Sequence, residues 1–514
     1  MGWWVAIIVW IGSLVAGRLL RRRPHVPVPE PGNFDASNMP TASEARPVPV
    51  VWGTVRLDSP NVLWYGGQTT REVKQDGQVV GHRYYLTLQY GLCIGPIDKV
   101  LAIEWDGLRP TPYCSAFGWT YDEFFYRQSG LFGGNYQEGG IFADIRAYKG
   151  KSFQEPDSHL ADKIGAPVPG YPHLAYLVMR GLPYPHSEID PCIYFRTHLP
   201  GEWLCPCPEY DVGTCVDERA AYVGTAPILH PMAVEVQRVG ECNPLGLIGG
   251  DIHGDANPAN MIYEILHDTI WGLGIADEDG IDKASFIAAG EALWSEGFGL
   301  SMIMDQAKTA KEVIDEILRH IDGVLALDPD TGLVQLRLIR GDYVVDALPE
   351  FGPNEIHDFH FTRPSLDTLS NSVRVTYPDR SEHYKVVVVT AQDLANIQQR
   401  GEEVVEDVTY QGISNSALAQ RLAARDLKVL SYPWAQVSFN VDRSAWDLRQ
   451  GSPFVLDWPD LGISGMVCRM TRISPGDLTK GEISIDAIED VFGVSWTAFG
   501  PIPPSEWEDP YQGE

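Results

Sequence analysis

Apolar residues in this chain keep two rhythms, and the switch between them limits the folds open to it. Between Asn257 and Ile321 they recur at helical spacing, whereas on either side the dominant period is two, that of half-buried strands. Asn257 reads as an N-cap with Pro258 at the first helical position, and Ile262, Ile265, Leu266 and Ile270 fall on one face. A second helix is predicted from about Asp282 to Glu296. A third opens on Thr309-Ala310-Lys311-Glu312, a capping box, and carries Val313, Ile314, Ile317, Leu318 and Ile321. After Gly323 the period drops to two, and the runs 324–327 and 333–338 flank a turn at Asp328-Pro329-Asp330-Thr331-Gly332, a β-hairpin.

Strand patterns fill most of the rest. Tyr84 to Leu92 and Val100 to Trp105 mix β-branched and aromatic residues, the second ending in an Asp106-Gly107 turn. Val373 to Tyr377 and Lys385 to Val389 form a pair across a short polar turn; Val437 to Val441 and Gly481 to Ala487 alternate cleanly, and one helix from about Asn415 to Leu430 interrupts them. Fifty glycines and 38 prolines in 514 residues exceed the usual share and exclude a helical bundle. The expected class is α+β, predominantly β, with several domains: a hydrophobic helix over 1–23, a proline-rich linker over 24–49, and a β-rich domain over 50–250 with a cysteine-bearing insertion near 200–240. An α+β domain over 251–345, a second β-rich domain over 346–495 and an acidic tail over 496–514 complete it.

The N-terminal segment carries no charge from Gly2 to Gly17 and is closed by Arg21, Arg22 and Arg23. As a helix its sixteen uncharged residues span about 24 Å, short of the ~30 Å hydrocarbon core. It lacks the leading basic residues and clean cleavage site of a signal peptide. Two readings stand: a single anchor that leaves the chain in the cytoplasm, or a helix buried against partner subunits. Trp3, Trp4, Ile7, Ile8, Trp10 and Ile11 are the candidates for contact with a host membrane.

The net charge of −30 opposes binding to phosphate backbones, so specific nucleic-acid recognition is not expected, although an acidic wall lets DNA pass without sticking. Catalytic motifs are missing: no phosphate-binding glycine loop, zinc helix or nucleophile elbow occurs, and no catalytic, cofactor or metal residues are assigned. The acidic turns at 277–280 and 328–332 lack the full ligand spacing of a calcium loop. Cys192, Cys205, Cys207 and Cys215 cluster within 24 residues, in a spacing that matches no standard metal site; metal ligation, disulfides and free thiols all stay open. Cys93 and Cys468 sit in apolar strand contexts and read as core.

Five segments resemble, in order, the central tail-tip or baseplate hub proteins of long-tailed bacteriophages. They are Arg46-Pro47-Val48-Pro49-Val50-Val51-Trp52-Gly53-Thr54-Val55 with Pro60 to Gly66; Tyr84-Tyr85 through Gly91 to Asp98; and Ala256-Asn257-Pro258-Ala259 through Trp271-Gly272-Leu273-Gly274. Arg421 to Arg425 with Ser431-Tyr432-Pro433, and Ile485 to Phe492, complete the set. More distantly the chain is similar to the gene transfer agent tail protein and the lambda-type host-specificity protein. The resemblance implies a structural virion protein: a homotrimeric hub that closes the tail tube, assembled in the host bacterial cytoplasm around the tape-measure protein. It would meet the distal tail ring protein and other tail-tip or fibre proteins, and act in genome delivery. Two competing classes are a tail-associated cell-wall hydrolase and a non-viral single-pass membrane-anchored protein.

Overall fold

A computed structural model describes residues 30–34, 47–112, 122–181 and 220–492, apart from 76–77, 135–136, 242, 277–279, 306–307, 329, 366–367, 475 and 477–480. The N-terminal hydrophobic segment, the 192–215 cysteine cluster and the acidic tail lie outside the described residues. Strands and helices are numbered in chain order.

The first unit comprises β1 (Val50–Asp58), β2 (Asn61–Gln75), β3 (Gln78–Ile94), β4 (Lys99–Trp105), β5 (Glu123–Gln128), β6 (Ile141–Lys149), α1 (Ser158–Ile164), β7 (Leu174–Arg180), β8 (Ala221–Gly224) and β9 (Met232–Arg238). Strands β2-β3-β7-β6-β5 form one sheet, with β8 pairing β3 and β6. The turn after β4 is the one its sequence asks for: Asp106 and Gly107 both take positive φ, and Trp105 and Leu108 exchange backbone hydrogen bonds at 2.8 and 2.9 Å.

The helical unit follows. It holds the short hairpin β10 (Asp251–Ile252) and β11 (Asp255–Ala256), then α2 (Pro258–His267), α3 (Lys283–Ser295), β12 (Met302–Met304), α4 (Ala310–Ile321), β13 (Gly323–Leu327) and β14 (Val334–Leu338). Asn257 caps α2 by accepting from the Ala259 N–H at 3.1 Å. Helix α2 ends at His267 rather than reaching Ile270. The reason is local: the Asp268 side chain accepts from the N–H groups of Ile270 (2.7 Å) and Trp271 (2.9 Å), an Asx turn that leads the chain out of the helix and leaves Ile270 exposed. Thr309 and Glu312 cap α4 reciprocally, as the sequence demands. The acidic turn at 328–332 is held as a turn: Asp328 accepts from the Asp330 N–H at 3.0 Å, and Arg449 pairs with both carboxylates.

The remaining elements are β15 (Glu350–Phe351), β16 (His357–Thr362), β17 (Ser372–Asp379), β18 (Lys385–Gln392), α5 (Leu394–Arg400), β19 (Val405–Thr409), α6 (Ser416–Ser431), β20 (Gln436–Val441), β21 (Pro453–Trp458), β22 (Ile463–Ser474) and β23 (Ile483–Glu489). They divide between two bodies. Strands β15-β21-β22-β23-β20-β16 make a six-stranded sheet around Phe351, Phe439, Phe454 and Met470. Strands β18-β17-β19 with α6 instead share the core of α2, α3 and α4, where Val373, Val375, Leu418 and Leu422 meet Ile262, Phe286 and Ile317. The chain thus enters the C-terminal sheet with β15 and β16, returns to the helices, and re-enters with β20. The architecture is α+β and predominantly β, with Cys93 and Cys468 buried in its strands.

Candidate functional site

Strand β1 belongs to two cores at once. Its alternation sends Val50 and Trp52 into the helical core, while Val51, Val55 and Leu57 enter the core shared with β3, β4, β6, β7 and β9. Gly53 makes the handover. Residues 50–52 pair with β12 and residues 53–58 with β9. At this point Gly53 takes φ +74°, and a Cβ there would lie 2.1 Å from Ser301 Oγ and 2.7 Å from the Leu300 carbonyl. Only glycine supplies both the backbone angle and the space.

Two buried polar clusters flank β1 and tie the units together. In the first, Arg238 at the end of β9 reaches Glu264 in the middle of α2. Its Nη1 donates to Glu264 Oε2 at 3.2 Å and its Nη2 to Glu264 Oε1. The same guanidinium donates to the carbonyls of Val51 (3.1 Å) and Pro96 (2.9 Å), and the Trp52 indole N–H donates to Glu264 Oε2 at 2.7 Å. Arg238 is 2% exposed and Glu264 8%. A buried charge pair is tolerated when its remaining donors and acceptors are occupied, and here each carboxylate oxygen has a donor.

The second cluster centres on Asp255 of β11. Ser301 Oγ donates to Asp255 Oδ1 at 2.5 Å and accepts from the Thr54 N–H at 2.9 Å. Ser414 Oγ donates to Asp255 at 3.0 Å, while Arg380, just past β17, donates to Asp255 and to both hydroxyls at 3.0 Å. A serine beside an aspartate invites comparison with a nucleophile, but the chemistry differs. Both hydroxyl protons are committed to a carboxylate, the neighbouring arginine is a cation that donates to the hydroxyls and cannot take a proton from them, and among the described residues no imidazole nitrogen bonds to either serine. The cluster joins β1, β11, the β17–β18 turn and the start of α6.

A third buried group, His320 on α4, donates from Nδ1 to the Glu316 carbonyl at 2.7 Å and accepts at Nε2 from the Gly412 N–H at 3.2 Å. That pair of partners defines a neutral imidazole. Burial pushes its pKa down to about 4, against the opposing pull of Glu316. The ring meets Tyr410 edge-on, and Arg425 donates to the Tyr410 hydroxyl at 2.7 Å. Beside it runs a groove of about 930 Å³ between α4, α6 and β23, with Ile314, Leu318, Val429, Trp434 and Phe492 on its walls.

Among the described residues, no group of three or more His, Cys, Asp or Glu side chains is placed to hold a metal ion, and no helix is long and apolar enough to cross a membrane. His230 pairs with Asp106 and stacks on Phe132 at 3.5 Å, with the Glu138 carboxylate 3.9 Å away. Sequence reasoning named none of these clusters. One signal was available: Glu264 is the lone carboxylate of its helix and sits among Ile262, Ile265 and Leu266, which calls for a cation opposite.

Residues 309–473, from the start of α4 to the end of β22, match a family model described as a putative phage tail protein. Over this segment, about a third of the chain, the sequence is similar to that family. The fold of the chain is similar to that of a chain in the virion of a native gene transfer agent particle, at TM-score 0.53 and 16% identity, covering 99% of this chain and 100% of that one. Shorter similarities reach a tail protein from Neisseria meningitidis MC58 (TM-score 0.29, 14% identity, 38% of this chain and 60% of that one). Prophage tail protein gp18 from Listeria monocytogenes EGD-e also aligns (0.24, 14%, 36% and 56%). No curated protein matches the chain. The matched segment contains His320, Tyr410, Gly412 and Arg425 of the third cluster but only Arg380 and Ser414 of the second, whose Asp255, Ser301 and Thr54 lie outside it with the Arg238–Glu264 pair.

Proposed function

We infer that this chain is a phage tail protein: a structural, non-enzymatic hub at the tip of the tail, present in three copies around a central passage that closes the tail tube until the genome is delivered. The observation that carries the reading is end-to-end similarity of fold to a component of a gene transfer agent virion. Buried ion-pair networks that lock the units to one another suit a part that bears load, and saturated serine hydroxyls suit structure rather than hydrolysis. The tape-measure protein and the distal tail ring are its expected neighbours, and Trp3, Trp4, Ile7, Ile8, Trp10 and Ile11 its expected contacts with a host membrane. With a net charge of −30 per chain, acidic side chains facing the passage would keep DNA sliding.

The test is imaging of purified tails. Three copies at the tip, around a passage lined by acidic rather than basic side chains, is the expected result. One copy per tail, or copies distributed along the tube, would overturn the reading. Lytic zones in a peptidoglycan gel from the purified chain would favour a hydrolase instead.

A further inference from the structure

Among the described residues no further strand pairs with either edge of the sheet β18-β17-β19; on the β19 side the Thr409 carbonyl, at the strand's end, accepts from Arg319 at 2.7 Å. Strand β18 is eight residues long, contains neither proline nor glycine, and pairs with β17 from Ser372↔Gln392 to Asp379↔Lys385 without a bulge. Its inner face, Val387, Val389 and Ala391, packs on the helical core. Its outer face does not: Val386 is 72% exposed and Val388 54%. Soluble proteins blunt such edges with prolines, bulges, charges or a covering element, because the outward N–H and C=O groups of alternate residues template another strand. Between Val386 and Ala391 this edge has no proline, bulge or charged side chain.

The opposite edge differs in charge. Strand β19 carries Glu406 and Asp407 and follows Glu402 and Glu403, four carboxylates in six residues, whereas β18 contributes Lys385 and no acid. Pairing β19 with β19 would set carboxylates against carboxylates, which is unfavourable. Pairing β18 with β18 would leave both β19 edges bare. Pairing β18 with β19 covers both edges by one contact and opposes a lysine and valines to the acids. Such a contact is head-to-tail and generates a ring when its rotation closes.

We propose that β18 of one copy pairs with β19 of the next, so that this three-stranded sheet continues from copy to copy around the hub. The proposal rests on the hub reading and names the surface through which its copies meet. Residues Arg374, Thr390 and Asp407 stand in register across the sheet, as do Thr376, Val388 and Thr409, so each row shares one face.

Engineered cysteines test this in the full-length chain. Asp407→Cys is combined in turn with Val386→Cys, Val388→Cys and Thr390→Cys to span the register, followed by mild oxidation, mass measurement by light scattering and identification of linked peptides. At least one pair should give a ladder ending at three copies, with the 407-containing peptide joined to β18, and the single substitutions should add no link to those of the unsubstituted chain. Trimers without any 407-to-β18 link would overturn the edge pairing and leave the hub reading standing. A Val388→Cys chain that links to itself would overturn it in favour of a two-fold contact. A monomer with no link would count against both.

Discussion

Removing both partners of the Arg238–Glu264 pair should cost far less than the sum of removing each alone. In Glu264→Gln the guanidinium of Arg238 keeps its carbonyl acceptors on Val51 and Pro96 but loses its counter-charge in a site with almost no solvent. Breaking a buried pair from one side costs about 3–5 kcal/mol. Arg238→Met strands the carboxylate with only the Trp52 N–H, at a similar cost of about 3–5 kcal/mol. If the sites were independent the double variant would lose the sum, about 6–10 kcal/mol. In Arg238→Met with Glu264→Leu no buried charge remains, and the residual loss comes from the Trp52 indole N–H and the carbonyls of Val51 and Pro96, at about 1–3 kcal/mol for each group left unpaired. The double variant should therefore fall near the single variants, with a coupling of about 3–5 kcal/mol, the size of one single loss. Hydrogen exchange of the α2 and β1 amides reads this locally, which matters because a chain with several cores need not unfold in one step. Losses that add to within ~0.5 kcal/mol would refute the argument, as would a Glu264→Gln cost below ~1 kcal/mol.

Three further outcomes follow from single features. His320 is held neutral with a pKa of about 4 against an ordinary value of 6.5, so the unfolded chain binds more protons between those limits. Stability present above about pH 6.5 should fall as the pH drops towards 4, by a few kcal/mol at most, on the order of 1.4 kcal/mol per unit; acid titration of the thermal midpoint should show His320→Gln with a flatter slope than the unsubstituted chain, and equal slopes would contradict the assignment. Gly53→Ala meets both a positive φ and the Leu300 carbonyl at 2.7 Å, and a loss of about 3 kcal/mol or more, seen as a lowered midpoint or poor folded yield, is expected. Ile8→Asp with Ile11→Asp should give tails that assemble and adsorb yet fail to deliver DNA, each charge costing about 2.5–3.5 kcal/mol at mid-bilayer; full infectivity would remove the membrane role.

Features written in neighbouring residues were legible in the sequence. The Thr309 capping box, the Asn257-Pro258 helix start, the 324–338 hairpin and the Asp106-Gly107 turn are each set by a few adjacent side chains, and each forms as read. Ile270 misled because apolar spacing outlasted the helix, while the Asp268 turn that ends it is a single-residue signal. The polar clusters stayed hidden for a different reason. Arg380 and Asp255 are 125 residues apart, and Ser414 and Asp255 159. Nothing in either local pattern distinguishes these side chains from solvated ones. Likewise, alternation reports that β20 is a strand, but it cannot report that its neighbour is β16, on the far side of the whole β17–α6 excursion.

That excursion has a topological consequence. The chain crosses between the helical core and the C-terminal sheet three times: between β14 and β15, between β16 and β17, and between α6 and β20. A protease cut at any one crossing leaves the two bodies covalently joined by the other two. A body on one tether swings freely; one held by three can only tilt within the slack of the shortest, and α6 is separated from β20 by only four residues. Force that pulls the C-terminal sheet away is borne first by contacts such as those of Arg449 with Asp328 and Asp330, and once these yield it is divided over three parallel lengths of backbone rather than one.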